Sequence, residues 1–237
     1  MGRNNYFQFK QFKIIQEKSA MKVGVDSVLL GAWANVEHTS AILDVGTGTG
    51  LIALMLAQRS KANITAIEIE EQAAQEATEN ILASSWNNRV TVRKCSFQDF
   101  AKKQTERFDL VVSNPPFFKN AFKAASNERT MARHNDSLPF SALMNLAAQM
   151  INASGRVALI VPFDAFFELQ EAATVNHLFL LRKTTIRPKA GKPINRLMLE
   201  WGKKETSFQQ NSLTIFEKDG SFTASYVTLT KDFYLKF

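Results

Sequence analysis

The sequence predicts an α/β fold, a mostly parallel sheet with helices on both faces and an antiparallel edge strand. Short apolar runs rich in β-branched residues alternate with longer helical patterns, as in sheets covered on both sides. A glycine-rich turn follows the first of those runs and opens a helix. Near the carboxyl end, strand-like segments follow one another without the helix that a parallel crossover needs, which suggests the antiparallel edge. With 237 residues and 45% hydrophobic content, the chain can bury a sizeable core, and no Pro/Gly/Ser-rich linker divides it. One domain is expected over 1–237, with an N-terminal extension at 1–34, a core at 35–204 and an edge segment at 205–237.

In chain order, Phe7, Phe9 and Phe12 alternate with Gln8, Lys10 and Lys13, and Asp26 opens a short apolar helix. Residues 6–34 read either as a lid beside a site or as a cap over one sheet edge. Strands are expected at 41–45, 64–67, 90–92, 108–112 and 156–161, and helices at 48–59, 71–84 and 139–151. The segments 178–185, 196–201 and 226–229 are strand-like.

A formal charge of +7 and a pI near 9.5 favour a polyanionic partner, although excess lysine also serves solubility. The longest uncharged stretch, 138–155, is broken by Ser141, Asn145, Gln149 and Asn152, so it reads as an amphipathic helix and no membrane span is expected. Cys95 is the single cysteine and cannot form an internal disulfide; it reads as a packing residue. With no charged-then-apolar leader at Met1, a reducing cytoplasm is the expected setting. His38, His134 and His177 lack ligand spacing for zinc, no metal is expected, and no Ser/His/Asp arrangement stands out.

The run Asp44-Val45-Gly46-Thr47-Gly48-Thr49-Gly50 leaves a buried strand and enters a helix. Gly46, Gly48 and Gly50 let the backbone turn tightly and approach a ligand. Leu51 and Ile52 follow where a nucleoside triphosphate loop would carry Lys and Ser/Thr, so ATP or GTP is not the expected ligand. Glu68 ends the second core strand about 20 residues past the glycines, where a carboxylate can accept hydrogen bonds from ribose hydroxyls. That spacing also fits a nicotinamide dinucleotide; the open G-x-G-x-G form suits the amino acid end of S-adenosylmethionine, its ammonium held by Asp44 or by nearby carbonyls. The loop after the third core strand, Cys95-Ser96-Phe97-Gln98-Asp99, would meet the adenine ring. Either Asp99 reaches in or Ser96 and the Phe97 backbone make the contact, in which case Asp99 is a helix cap.

Asn114-Pro115-Pro116-Phe117 closes the apolar run 108–113. An adenine amino group is a poor nucleophile because its lone pair is delocalised into the ring. If the Asn114 side-chain oxygen and the Pro115 carbonyl accept its two N–H bonds, the nitrogen moves toward tetrahedral geometry and its lone pair becomes available to a sulfonium methyl. Pro115 and Pro116 restrict φ and the preceding residues, which stiffens both acceptors. Phe117 offers a ring for stacking on a flipped or single-stranded base, worth about 1–3 kcal/mol. Basic residues follow: Lys119, Lys123, Arg129, Arg133 and His134, then Arg182, Lys183, Arg187, Lys189, Lys192 and Arg196. A basic loop at 187–193 could track a phosphate backbone.

The N-terminal Phe9-Lys10-Gln11-Phe12, the run Met21-Lys22-Val23-Gly24-Val25-Asp26-Ser27-Val28-Leu29-Leu30-Gly31-Ala32-Trp33, the glycine loop, Asn114-Pro115-Pro116-Phe117 and Ala132-Arg133-His134 together resemble the bacterial tRNA(1)Val (adenine-37, N6) methyltransferases. The resemblance implies a class I, Rossmann-like methyltransferase with a seven-stranded sheet, S-adenosylmethionine as donor, and N6 of adenosine 37 beside the valine tRNA anticodon as acceptor. It adds Lys22 to Arg133, His134, Lys189, Lys192 and Arg196 as candidate tRNA contacts, and no obligate protein partner is inferred. In that family an acid usually stands where Ser96 is. Three rivals remain at this point: a methyltransferase for the glutamine side chain of release factors, a DNA adenine methyltransferase, and a non-catalytic RNA-binding module with the same fold.

Overall fold

A computed structural model describes residues 4–19, 21–116 and 138–236. The elements run β1 (Tyr6–Gln8), β2 (Lys13–Ile15), α1 (Val25–Trp33), β3 (Ala41–Val45), α2 (Leu51–Arg59), β4 (Asn63–Glu68), α3 (Glu71–Leu82), β5 (Val90–Lys94), α4 (Phe97–Lys103) and β6 (Phe108–Ser113). They continue with α5 (Phe140–Met150), β7 (Ile151–Pro162), α6 (Phe166–Val175), β8 (Phe179–Lys189), β9 (Arg196–Gly202), β10 (Gln209–Phe216) and α7 (Ala224–Thr230).

The main sheet has the order β10-β8-β9-β7-β6-β3-β4-β5. The expected mostly parallel α/β architecture is what the chain adopts, with two differences of detail. Among the described residues the main sheet has eight strands rather than seven, because β10 adds itself in parallel to β8. The reversed strand is β9, and it lies inside the sheet rather than at its edge, antiparallel to both β7 and β8. Its position follows from the connections. The β7–α6–β8 crossover leaves a vacant place beside β7, and the hairpin from β8 returns β9 into it.

Successive strand residues face opposite ways, so a strand buried on both sides is apolar on both faces save where a polar side chain is hydrogen-bonded, as Asp44 is in β3. Ile42, Leu110, Val112, Ala158 and Ile160 join the core beneath α1, α2 and α7. Leu43, Val111, Val157, Leu159 and Val161 join the other, beneath α4, α5 and α6. This two-faced burial explains why the central strands were visible as largely hydrophobic runs.

The strand-like segment 226–229 is helical instead, within α7. Thr223 caps that helix by accepting from the Tyr226 amide, and Tyr226 stacks on Phe222 at 5.1 Å, so packing overrides the β-branched composition. At the other end, β1 and β2 form a small antiparallel hairpin. Phe9 and Phe12 are buried and stacked at 4.7 Å, and Phe9 also meets Tyr234 near the carboxyl end. Among the described residues no helix is long and apolar enough to cross a membrane.

Candidate active site

In an open parallel sheet, ligands sit outside the carboxyl ends of the strands where the connections part to opposite faces. Here β3 and β6 are neighbours in the sheet, and the turns that follow β3, β4, β5 and β6 line one cavity. Its wall includes Gly46, Gly48, Glu68, Ser96, Phe97, Asn114, Pro115 and Pro116, so eight of the residues expected from sequence are brought together.

The glycine loop is fastened from behind. The amides of Gly46 and Thr47 both donate to the Ile67 carbonyl, at 2.9 and 3.0 Å, and the Ser113 hydroxyl donates to the Val45 carbonyl at 2.8 Å. Gly46 and Gly48 have φ of 72° and 56°, a region that side chains rarely adopt. A Cβ built on either would meet nothing within 4 Å, so the space over the loop is a cradle that a ligand can fill. Glu68 accepts from the Gly48 amide at 2.9 Å through Oε2 and from the Ile69 and Glu70 amides through Oε1. Its carboxylate therefore stands against the glycine loop at the cavity wall.

Asp44 does not line the cavity. It is fully buried behind the loop, where the Thr47 hydroxyl donates to Oδ2 at 2.6 Å and Oδ1 has no partner. Burial pushes its carboxyl up to about 7, against the lowering by Thr47, and the charge of Glu68 adds to the rise. Asp99 is also absent from the wall. Its amide donates to Ser96 Oγ at 3.0 Å, the Ser96 hydroxyl donates back to Asp99 Oδ2 at 2.8 Å, and Lys102 lies 3.4 Å from Oδ1. The bond from Ser96, then Lys102, holds the Asp99 carboxyl below its ordinary range. Of the two readings of this loop, Ser96 and Phe97 line the cavity and Asp99 stands in the first turn of α4, whose N-cap is Ser96 itself rather than Asp99.

Asn114 leaves β6 half-buried. Its Nδ2 donates to the Ser27 hydroxyl at 2.9 Å, and its Oδ1 is buried with no partner. An orphaned buried oxygen costs roughly 1–3 kcal/mol and marks a position waiting for a donor. Pro115 is buried and Pro116 exposed. Phe117, Arg133 and His134, with Lys119, Lys123 and Arg129, lie outside the described residues.

The remaining basic candidates are spread along the carboxyl rim. Lys22 is half-buried beside Met21. Arg196 starts β9 and pairs through Nε with Asp26 at 2.8 Å, fastening the first turn of α1 to the sheet. Lys189 ends β8, and the Lys192 amide closes a turn on its carbonyl at 2.9 Å. Strands β9 and β7 lie between β8 and β6 in the sheet order, and the register places Lys189 further along the strand direction than Asn114, so this basic turn stands well away from Asn114 across the rim.

Sequence reasoning missed Ser19, Met21, Ile67, Ile69 and Leu138 in the wall, and Ser27 behind Asn114. Cys95 packs against the core as expected, yet it also lines the cavity, and burial raises its thiol. Ile67 and Ile69 flank Glu68 and could have been inferred from it; Ser19, Met21 and Ser27 carry no local chemical signal. The cavity fits S-adenosylmethionine on three observations: the side-chain-free glycine cradle, a carboxylate at the end of β4, and the unpartnered Asn114 Oδ1 beside them.

Comparison with known proteins agrees with this geometry. Residues 19–160 match the family model described as Methyltransferase small domain. The chain is 45% identical over 236 residues to the tRNA1(Val) (adenine(37)-N6)-methyltransferase of Trichodesmium erythraeum, covering 98% of this chain and 99% of that one. It is 40% identical over 239 residues to the protein of the same name from Histophilus somni, with both chains covered in full. Among solved structures, one described as a predicted O-methyltransferase from Agrobacterium tumefaciens aligns with a TM-score of 0.70 at 19% identity, over 88% of this chain and 96% of that one. The ribosomal protein L11 methylase of Lactobacillus delbrueckii aligns with a TM-score of 0.53 at 19% identity, over 76% and 77%. Those two likenesses concern the fold alone. A shared length, a sequence identity well above 30% from end to end and a methyltransferase-type site lead to one conclusion: the chain belongs to the tRNA1(Val) (adenine(37)-N6)-methyltransferase family.

Proposed function

We propose that this protein methylates the exocyclic N6 of adenosine 37 in tRNA1(Val), with S-adenosylmethionine as donor, in the cytoplasm, as a single catalytic domain over 1–237. The observation that carries the reading is the buried, unpartnered Oδ1 of Asn114 beside an open glycine cradle. S-adenosylmethionine supplies an electrophilic methyl on a sulfonium. Gly46 and Gly48 present a loop without Cβ atoms to the donor's amino acid end, and Glu68 turns a carboxylate toward its ribose hydroxyls. Ser96 and the Phe97 backbone meet its adenine. Asn114 Oδ1 and the Pro115 carbonyl then hold the two protons of the acceptor amine, which draws the nitrogen out of conjugation with its ring. Because both oxygens are held in advance by a Pro-Pro turn and by Ser27, little reorganisation is needed at the moment of transfer. The basic rim at Lys22, Lys189 and Lys192 supports the tRNA backbone, with Arg133 and His134 as further candidates from sequence.

The test is to incubate the protein and labelled S-adenosylmethionine with total tRNA, DNA and release factor separately, then identify the labelled product. N6-methyladenosine in tRNA alone is expected, and label in release factor or DNA overturns the assignment. Asn114→Ala should remove turnover by a factor of about 100 or more while calorimetric affinity for S-adenosylmethionine changes little. Retained turnover in that variant rejects Asn114 as the acceptor of the amine.

A further inference from the structure

Within the N-terminal run 21–33, α1 supplies the hydrogen-bond partner of the Asn114 side chain. We propose that Ser27 is a positioning residue for the methyl transfer, acting through Asn114; this rests on the assignment of Asn114 made above.

The Asn114 amide has two ends. Nδ2 donates to Ser27 Oγ at 2.9 Å, across 87 positions of sequence, and Oδ1 is buried and unpartnered. An asparagine amide rotates broadly about its last torsion. With one end tied to Ser27, the other is held where an incoming amine can use it. Neither β6 nor the prolines can do this alone, because they restrict backbone and leave the amide free to turn.

Ser27 is itself held firmly. It lies in the first turn of α1, next to Asp26, whose carboxylate is paired with Arg196 at 2.8 Å. The following residues, Val28, Leu29 and Leu30, are buried in the core. Arg59 donates to the Gly31 and Ala34 carbonyls, both at 2.8 Å, closing the far end of the helix. The hydroxyl therefore sits on an element fixed at both ends, as a support for a reacting group requires. Ser27 is not among the residues that line the cavity, so its contribution to donor binding is small and its contribution to the acceptor's geometry is large.

The experiment compares Ser27→Ala and Ser27→Thr with the unaltered protein, measuring kcat, KM for tRNA, calorimetric affinity for S-adenosylmethionine and thermal midpoint. Loss of the hydroxyl should lower kcat about tenfold, the size expected when one hydrogen bond stops orienting a catalytic group. Donor affinity and KM should stay within about twofold, and Ser27→Thr, which keeps a hydroxyl, should recover most of kcat. An unchanged kcat in Ser27→Ala, or a loss that Ser27→Thr does not restore, overturns the inference. Asn114→Ala separates the two levels: if it is inactive while Ser27→Ala is normal, only the role of Ser27 fails. If Asn114→Ala itself is active, the catalytic reading fails first.

Discussion

Burial controls the protonation of Asp44, and with it the pH response of the glycine loop. Withdrawn from water and facing the charge of Glu68, its carboxyl rises to about 7 although Thr47 donates to it. In the unfolded chain the same group titrates near 3.8. Between those values the folded state binds the extra proton, so the contribution to stability is complete below about pH 4 and is lost as the pH rises through about 7. The full swing is on the order of 4 kcal/mol. Thermal midpoints of the ligand-free protein should therefore decline from pH 5 to pH 8 relative to Asp44→Asn, which has no proton to lose there. S-adenosylmethionine is cationic and favours the ionised carboxylate, so its affinity should rise with pH over the same window in the unaltered protein. Parallel melting curves for the two proteins would remove Asp44 from this account. The acid was legible in the sequence as a strand-end residue before a glycine loop. Its seat behind that loop was not, because which side of β3 it faces depends on the sheet that surrounds it.

At the scale of elements, the described residues that follow β2, Glu17 to Ser19, are held by α3. Glu76 and Asn80 lie four residues apart, on one face of that helix. The buried Glu76 carboxylate accepts from the Glu17, Lys18 and Ser19 amides at 2.5, 2.7 and 3.0 Å. Asn80 accepts from the Ile15 amide at 2.8 Å and donates to the Ile15 and Thr49 carbonyls at 2.9 Å, joining the hairpin to the glycine loop. Ser19 and Met21, next along the chain, then form part of the cavity wall. Glu76→Ala leaves three amides without their acceptor, and about 3 kcal/mol of stability should go with it, a fall in thermal midpoint of roughly 6–12 °C. Affinity for S-adenosylmethionine should drop on the order of tenfold as the wall loosens, readable by calorimetry below the melting range. A variant that melts early yet binds the donor normally would show that the wall does not need this anchor. The same segment shows where sequence reading stops. Ala41–Val45 was visible with its observed bounds because this doubly buried strand is apolar but for Asp44 and is ended by glycine. Gln209–Phe216 was missed because its first half is polar and exposed, and only pairing with β8 makes it a strand. Glu76 and Ser27 were silent for a similar reason, since their partners lie 57–59 and 87 positions away.

For the whole molecule, the sheet joins a donor site at β3 and β4 to a basic rim that reaches β8. The net charge of +7 gives long-range attraction for a polyanion, while the location of lysines decides which phosphates are met. Arg196 is paired with Asp26, so its first duty is to the fold. Lys189 and Lys192 sit on a turn three strands away from Asn114 and further along the sheet, far enough to contact nucleotides that flank the modified one. Each phosphate neutralised should steepen the decline of log K with log salt by roughly 0.7–0.9. Replacing both Lys189 and Lys192 by alanine should flatten that slope by roughly 1.5, weaken all tRNAs alike, and leave the affinity for S-adenosylmethionine where it was. Fluorescence titrations of tRNA at four or five salt concentrations measure the slope directly. An identical slope in the double variant would mean that the turn never reaches the RNA backbone, and the footprint would then have to run along the opposite side of the cavity, past Met21 and Lys22.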